Sequence, residues 1–188
     1  HPFEQVEFDH TPLDWIVLCD RTGIPLGRPL LTATICASTG YATGLYLSFY
    51  GPGLTSVSGV LRNTICIKDE LCRSAGTENQ WLASGVPDTF VLDNGLEFHA
   101  LAFKRMARDA GSDLTYSRVR TPYSKPHIER FFAGLGTLTL TSGRVRKRIT
   151  NVIDLDPRTT AQITFSDLIR GLVRYFVDVH PFHVNKRK

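Results

Sequence analysis

Three acidic residues far apart in this 188-residue chain, Asp9, Asp93 and Glu129, stand where a carboxylate can be held rigidly. Asp9 closes the run Val6-Glu7-Phe8-Asp9, Asp93 directly follows the apolar Phe90-Val91-Leu92, and Glu129 lies about one turn into a helix-forming segment. Strand ends and helix starts are rigid platforms from which such groups can face one another across a sheet edge. Two divalent cations held about 3.5 to 4 Å apart by hard oxygen ligands can grip both the attacking and the leaving oxygen of an in-line phosphoryl displacement. That chemistry calls for carboxylates rather than imidazoles or thiols. Three acids suffice when one is shared, because phosphate oxygens and waters fill the remaining positions. Asp14 and Asp20 compete with Asp9 for the first place, and Asp93-Asn94-Gly95 is by itself an ordinary turn sequence.

The elements that must carry these residues follow from periodicity. The first fifty residues are rich in β-branched and aromatic types broken by turn signals, which predicts an antiparallel meander. Strands are expected over 4–9, continuing irregularly to about 19, over 30–37 and over 41–49, with turns at Arg21 to Gly27 and at Thr39-Gly40. After Gly51-Pro52-Gly53, the residues Leu54, Val57, Leu61 and Ile65 recur at helical spacing. Thr89 to Leu92, bounded by Pro87 and Asn94-Gly95, has the form of a buried central strand. Phe103, Met106, Ala107 and Ala110 line one face of a helix stopped by Gly111. Leu114 to Val119 reads as another strand. Thr121 to Pro126 reads as a loop whose Ser124 and Pro126 suit the opening of a helix carrying Ile128 to Leu135. Between Gly134 and Arg158 the glycines weaken helix propensity, and Arg144, Arg146, Lys147 and Arg148 form a basic loop. A last helix carries the stripe Phe165, Leu168, Ile169, Leu172, Val173, Phe176 and Val177, opened by Thr164 with Asp167 and closed by Pro181. The order predicts an α/β fold: a mixed sheet with helices packed on it.

With 42% apolar and 21% charged residues the composition is that of a globular protein, far from a disordered chain. The net charge of +4 and a pI near 9.0 suit nucleic acid without demanding it. Cys19, Cys36, Cys66 and Cys72 follow no zinc or disulfide spacing and read as reduced thiols of a cytosolic protein; the histidines likewise show no metal-ligand spacing. No apolar run approaches the roughly 20 residues of a membrane span, and no charged-then-apolar leader opens the chain. The start at His1 and the end at Lys186-Arg187-Lys188 suggest one domain, 1–188, cut from a longer polypeptide.

Leu92-Asp93-Asn94-Gly95-Leu96-Glu97-Phe98, then thirty-five residues between Asp93 and Glu129, then Lys125-Pro126-His127-Ile128-Glu129-Arg130-Phe131-Phe132, resembles the Asp-x35-Glu half of the superfamily of retroviral integrases and Mu-type DDE transposases. Val6 to Asp14, followed by Gly27 to Thr32, is similar to the first strand and hairpin of its bacterial transposase branch, and the Phe-Asp-His-Thr pattern there selects Asp9. The resemblance implies an RNase H-like fold with a mixed five-stranded sheet, and Asp9, Asp93 and Glu129 as catalytic ligands of two Mg²⁺ or Mn²⁺ ions. It further implies DNA 3′-end cleavage followed by strand transfer, with no covalent enzyme-DNA intermediate. The implied partners are element ends and target DNA, with homo-oligomers assembling on DNA in the bacterial cytosol or nucleoid. Two departures stand out: Pro126 where the family's loop often has Gly, and Cys36-Ala37 where relatives commonly carry an Asp.

Around the Glu129 junction, Lys125, Arg130, Tyr123, Arg118 and Arg120 are candidates for phosphate contacts, as is the run Arg144, Arg146, Lys147 and Arg148. Asn94 is either a turn former or a group that orients Asp93 and touches DNA, and Glu129 could pair with Lys125 at i−4. Two other functions remain open on the sequence: a non-catalytic DNA-binding or assembly fragment, and a nuclease of the same fold that cuts without joining.

Overall fold

The computed structural model describes residues 1–117, 125–136 and 158–182. Five strands form the main sheet: β1 (Gln5–Pro12), β4 (Leu30–Cys36), β5 (Ala42–Ser48), β6 (Thr89–Leu92) and β7 (Asp113–Tyr116). A hairpin of β2 (Val17–Leu18) and β3 (Pro25–Gly27) stands apart, and among the described residues six α-helices accompany the strands. These are α1 (Leu54–Ile65), α2 (Asp69–Ala75), α3 (Leu96–His99), α4 (Leu101–Ala110), α5 (Pro126–Gly136) and α6 (Phe165–Arg174). Helix α6 runs on into a π turn at Tyr175–Val179 and a 3₁₀ turn at His180–Phe182.

The sheet runs β5-β4-β1-β6-β7. Its first three strands are antiparallel, while β6 lies parallel to β1 and β7 parallel to β6. This is the mixed five-stranded arrangement of the RNase H-like fold, as expected from the sequence. Alternation along β1 splits its side chains between two layers. Val6 and Phe8 enter a core with Val57, Val60 and Leu61 of α1, Phe90 and Leu92 of β6, Phe98 of α3 and Phe103 of α4. Phe8 meets Phe90, Phe98 and Phe103 edge-on, at ring separations of 6.1, 4.9 and 6.0 Å. On the opposite face, Leu31, Ala33 and Ile35 of β4 pack with Ile128, Phe131 and Leu135 of α5 and with Leu168, Leu172 and Val173 of α6. Glu7 and Asp9 belong to this second face, the one α5 covers.

Several local expectations hold. Gly111, at φ 93°, stops α4 in the left-handed conformation. Thr164 caps α6: its hydroxyl oxygen accepts from the Asp167 N–H at 3.2 Å. Three elements differ from the sequence reading. Part of the expected turn at 21–27 is strand β3, paired with β2. Helix α2, ended by Gly76 at φ 67°, and the four-residue α3 were not anticipated, because elements so short carry little periodic signal. Among the described residues no helix is long and apolar enough to cross a membrane.

Lys68, only 3% exposed, joins the end of α1 to the segment before β6. Its ammonium donates to the carbonyls of Thr64 and Cys66 at 3.3 and 3.0 Å and to that of Ala83 at 2.5 Å, and lies 5.3 Å from the Trp81 ring centre. Burial pushes its pKa down to about 8 from the usual 10.5. Between those two values the unfolded chain holds a proton that the folded chain has released, so the Lys68 contribution to stability grows as pH rises across the window. The stability difference between wild type and Lys68→Met, measured by urea unfolding, is therefore expected to shift in favour of wild type from pH 7.5 to pH 10. An unchanged difference would contradict this reading of Lys68.

Candidate functional site

The pairing of β1 with β6 matches Gln5 to Thr89, Val6 to Phe90 and Glu7 to Val91. Continuing that offset by one period of two brings Asp9 level with Asp93, both on the α5 face of the sheet. The two aspartates share one cation of the protein itself. Lys125 Nζ lies 3.3 Å from Asp9 Oδ2 and 3.8 Å from Asp93 Oδ2, and donates to the Phe8 carbonyl at 3.1 Å. Lys125 is 5% exposed, so its charge is largely removed from water and rests on these oxygens. Asp9 Oδ1 also accepts from the His10 N–H at 2.8 Å. The competing aspartates are engaged elsewhere: Asp14 pairs with Arg28 at 2.6 Å, and Asp20 accepts from the Ser166 N–H at 3.1 Å.

Helix α5 begins directly after Lys125, with Pro126 in the first-turn position that tolerates its missing N–H. The group that satisfies the helix's first free donors is remote in sequence. Glu7 Oε2 accepts from the N–H groups of His127 at 3.0 Å and Ile128 at 2.8 Å, and Glu7 Oε1 lies 2.8 Å from His127 Nδ1. Glu129 follows one residue later, exposed in the first turn of α5.

Each residue after Asp93 has a visible local task. Asp93 Oδ1 accepts from the Gly95 N–H at 3.0 Å, closing a turn. Asn94 Nδ2 donates to the Ser117 carbonyl at 2.8 Å and so ties the ends of β6 and β7 together. Glu97 folds back beside Gly95 and places Oε1 3.4 Å from His10 Nε2. Phe98 is fully buried and stacks on the His10 ring at 5.2 Å. His10 Nδ1 lies 2.8 Å from Thr32 Oγ1. Burial holds the His10 pKa below its ordinary value, against the opposing pull of Glu97, Asp9 and Asp93. A neutral ring that accepts the Thr32 hydroxyl at Nδ1 turns its Nε2–H toward Glu97, though out of line for a hydrogen bond. The aspartate-histidine segment of β1 is thereby packed against the segment that carries Asp93.

Of the expected site residues, Asp9, Asp93 and Lys125 come together, and Asn94, next to Asp93, bonds the Ser117 carbonyl. Glu129 and Arg130 are exposed on the first turns of α5. Lys125 turns inward to the aspartates rather than lying on a solvated basic face. Arg118, Arg120, Tyr123, Arg144, Arg146, Lys147 and Arg148 lie outside the described residues. Among the described residues, no three acidic, histidine or cysteine side chains form a group close enough to hold a metal ion. Glu7, His10 and Glu97 are the site residues that sequence reading missed. No local signal marks Glu7: its strand face also carries Gln5, Asp9 and Thr11 and reads as the solvent-facing half of an alternation.

The model of the TnsB C-terminal domain family matches residues 7–141, and the chain belongs to that family. The chain is 30% identical over 131 residues to the transposase for transposon Tn552 of Staphylococcus aureus, a match that takes in 70% of this chain and 25% of that protein. The chain thus spans about a quarter of the length of this curated relative. Among solved structures, a chain of the simian T-cell lymphotropic virus intasome, determined in complex with PP2A regulatory subunit B56 gamma, shares the fold. It superposes with a TM-score of 0.50 at 15% identity, over 73% of this chain and 40% of the other.

Gly95 is required by Glu97 rather than by its own backbone, which is ordinarily extended at φ −60° and ψ 144°. A Cβ there would fall 2.3 Å from Glu97 Oε1 and 2.7 Å from its Cδ, so the Glu97 side chain would have to leave His10. Gly95→Ala is expected to destabilise the chain by no more than about 1 kcal/mol, the cost of moving the end of one flexible side chain off its preferred rotamer. In a Glu97→Ala background the same change should be nearly neutral in urea unfolding. Equal costs in both backgrounds would contradict the assignment.

Proposed function

We propose that this member of the TnsB C-terminal domain family is the catalytic core of a DDE-type transposase, which cuts DNA 3′ ends and joins them to target DNA with Asp9, Asp93 and Glu129 as metal-binding carboxylates. The observation that supports it best is the meeting of Asp9 and Asp93, from adjacent parallel strands, on a single buried cation, the Lys125 ammonium. A site already built around a positive charge, and made of hard carboxylate oxygens, fits Mg²⁺ or Mn²⁺. Glu129, one turn beyond Lys125 on α5, is the third acid. When bound, two such ions supply Lewis-acid polarisation of the phosphodiester and make a water or a 3′ hydroxyl nucleophilic at neutral pH.

The chain's own residues bind and orient. Asp9 presents its oxygens from within β1 and Asp93 from the residue after β6, in a register the sheet holds, and Asn94 ties the turn that carries Asp93 to the end of β7. Arg130, next to Glu129 and exposed, serves the DNA backbone, together with Arg118, Arg120, Tyr123 and the run Arg144, Arg146, Lys147 and Arg148, while Lys125 faces the two aspartates. Binding through phosphates makes affinity fall steeply with salt. Element ends and target DNA are the substrates, and copies of the full-length protein assemble on them in the cytosol.

Mn²⁺ titration followed by electron paramagnetic resonance tests the metal site. Asp9→Asn and Asp93→Asn are each expected to weaken binding by at least about tenfold, since groups that only orient a ligand are already worth about 10- to 100-fold. In the full-length protein, both should reduce strand transfer from a pre-cut 3′ end by on the order of a thousandfold or more, because metal assistance supplies several kcal/mol. Unchanged Mn²⁺ binding in both variants would favour a non-catalytic DNA-binding fragment. Cleavage without strand transfer would favour a nuclease that does not join.

A further inference from the structure

Glu7 is a carboxylate 3% exposed in the middle of a sheet, a placement that costs several kcal/mol unless its oxygens are hydrogen-bonded. Among the described residues its partners lie at one place, the start of α5: the N–H groups of His127 and Ile128, at 3.0 and 2.8 Å, and the His127 ring, at 2.8 Å. A helix whose first donors need a partner usually finds it in the residue just before it. Here that residue is Lys125, which has no acceptor, and its side chain points into the Asp9–Asp93 pair. The capping group instead comes from β1, two residues before Asp9 and on the same face.

We propose that Glu7 is the positioning residue of the site: by holding the first N–H groups of α5 to the strand that bears Asp9, it fixes where Glu129 stands relative to that aspartate. The inference rests on the reading of Glu129 as the third metal-binding acid. The linkage is short. Glu7 and Asp9 are separated by one residue of β1, Ile128 and Glu129 are adjacent in α5, and three short contacts join the two segments across 120 and 121 positions of sequence. The Lys125 contact with the Phe8 carbonyl pins the same junction from the other side. A helix start tethered in this way gives Glu129 a fixed backbone before any ion or DNA arrives, which is the preorganisation a metal site requires.

The test compares Glu7→Ala, Glu7→Gln, Glu129→Gln and the double variant Glu7→Ala/Glu129→Gln, by Mn²⁺ affinity and by hydrogen exchange of the His127, Ile128 and Glu129 amides. Glu7→Ala should lose amide protection at the start of α5 and weaken Mn²⁺ binding by about tenfold, in the range for groups that orient a ligand. Glu7→Gln, which keeps a carbonyl acceptor for the two N–H groups, should retain the protection and bind Mn²⁺ within about threefold of wild type. The double variant should bind no worse than Glu129→Gln, because Glu7 acts through Glu129. If Glu7→Ala does not fold, Glu7→Asp, which keeps the charge but withdraws the oxygens by one methylene, takes its place with the same expectations. Wild-type Mn²⁺ affinity in Glu7→Ala, or in the Glu7→Asp that replaces it, or losses that multiply in the double variant, would overturn the positioning role. Absence of Mn²⁺ binding by wild type would overturn the metal-site reading; the exchange data would then still decide whether Glu7 holds α5.

Discussion

Parallel pairing between β1 and β6 sets two carboxylates side by side, and the remainder of the site answers that juxtaposition. The register has no freedom to slip. Phe8 and Phe90 point into the ring cluster on the far face of the sheet, so a shift of one residue would turn those rings out and the aspartates inward. Unit charges about 4 Å apart interact by about 4 kcal/mol at an effective dielectric of about 20. A pair of carboxylates in such a place demands a cation, and the chain supplies one from the residue that opens α5. Lys125 is thus the local counter-charge of Asp9 and Asp93 and, on the proposed reading, the group that a divalent ion displaces.

Two networks hold this arrangement from opposite faces of β1. On the α5 side, Glu7 takes the first amides of the helix and Lys125 takes the Phe8 carbonyl. On the other side, His10 lies between Thr32, Glu97 and Phe98, so the strand bearing Asp9 is packed against the segment that follows Asp93. Residues that resemble a family signature when read in one dimension therefore have separable physical tasks. Asn94 joins two strand ends, Gly95 makes room for a folded-back carboxylate, and Phe98 anchors the turn in the core. Polar groups buried this deeply are stable only when their partners are in place.

Much of the fold was legible because its signals are periodic or local. The β-branched and aromatic runs of β1, β4 and β5, the apolar stripe of α6, the Thr164 cap and the Gly111 stop each express a short-range rule. Asp9 and Asp93 stand out only through the family resemblance, since on residue types alone Asp14 and Asp20 compete with the first and Asp93-Asn94-Gly95 is an ordinary turn. The hairpin of β2 and β3, with strands of two and three residues, and the four-residue α3 lie below the length at which periodicity speaks. Glu7 was illegible for another reason. Its partners stand 120 and 121 residues away, and in sequence an acid beside Val6 and Phe8 reads as the solvent-facing half of an alternation. Only packing of α5 across that face turns it into a buried helix cap. Lys125 was read as a phosphate ligand or an i−4 partner of Glu129, because its inward direction depends on the β1–β6 register.

The central claim is that Asp9 and Asp93 form a cation site which Lys125 fills until a divalent ion takes its place. Anomalous diffraction from crystals soaked in Mn²⁺ tests it most directly. The account predicts an Mn²⁺ peak bonded to oxygens of both aspartates, with the Lys125 ammonium moved away and a Glu129 oxygen turned toward the ion. A crystal saturated with Mn²⁺ in which Lys125 still joins the two aspartates, and the ion lies elsewhere or nowhere, would contradict it.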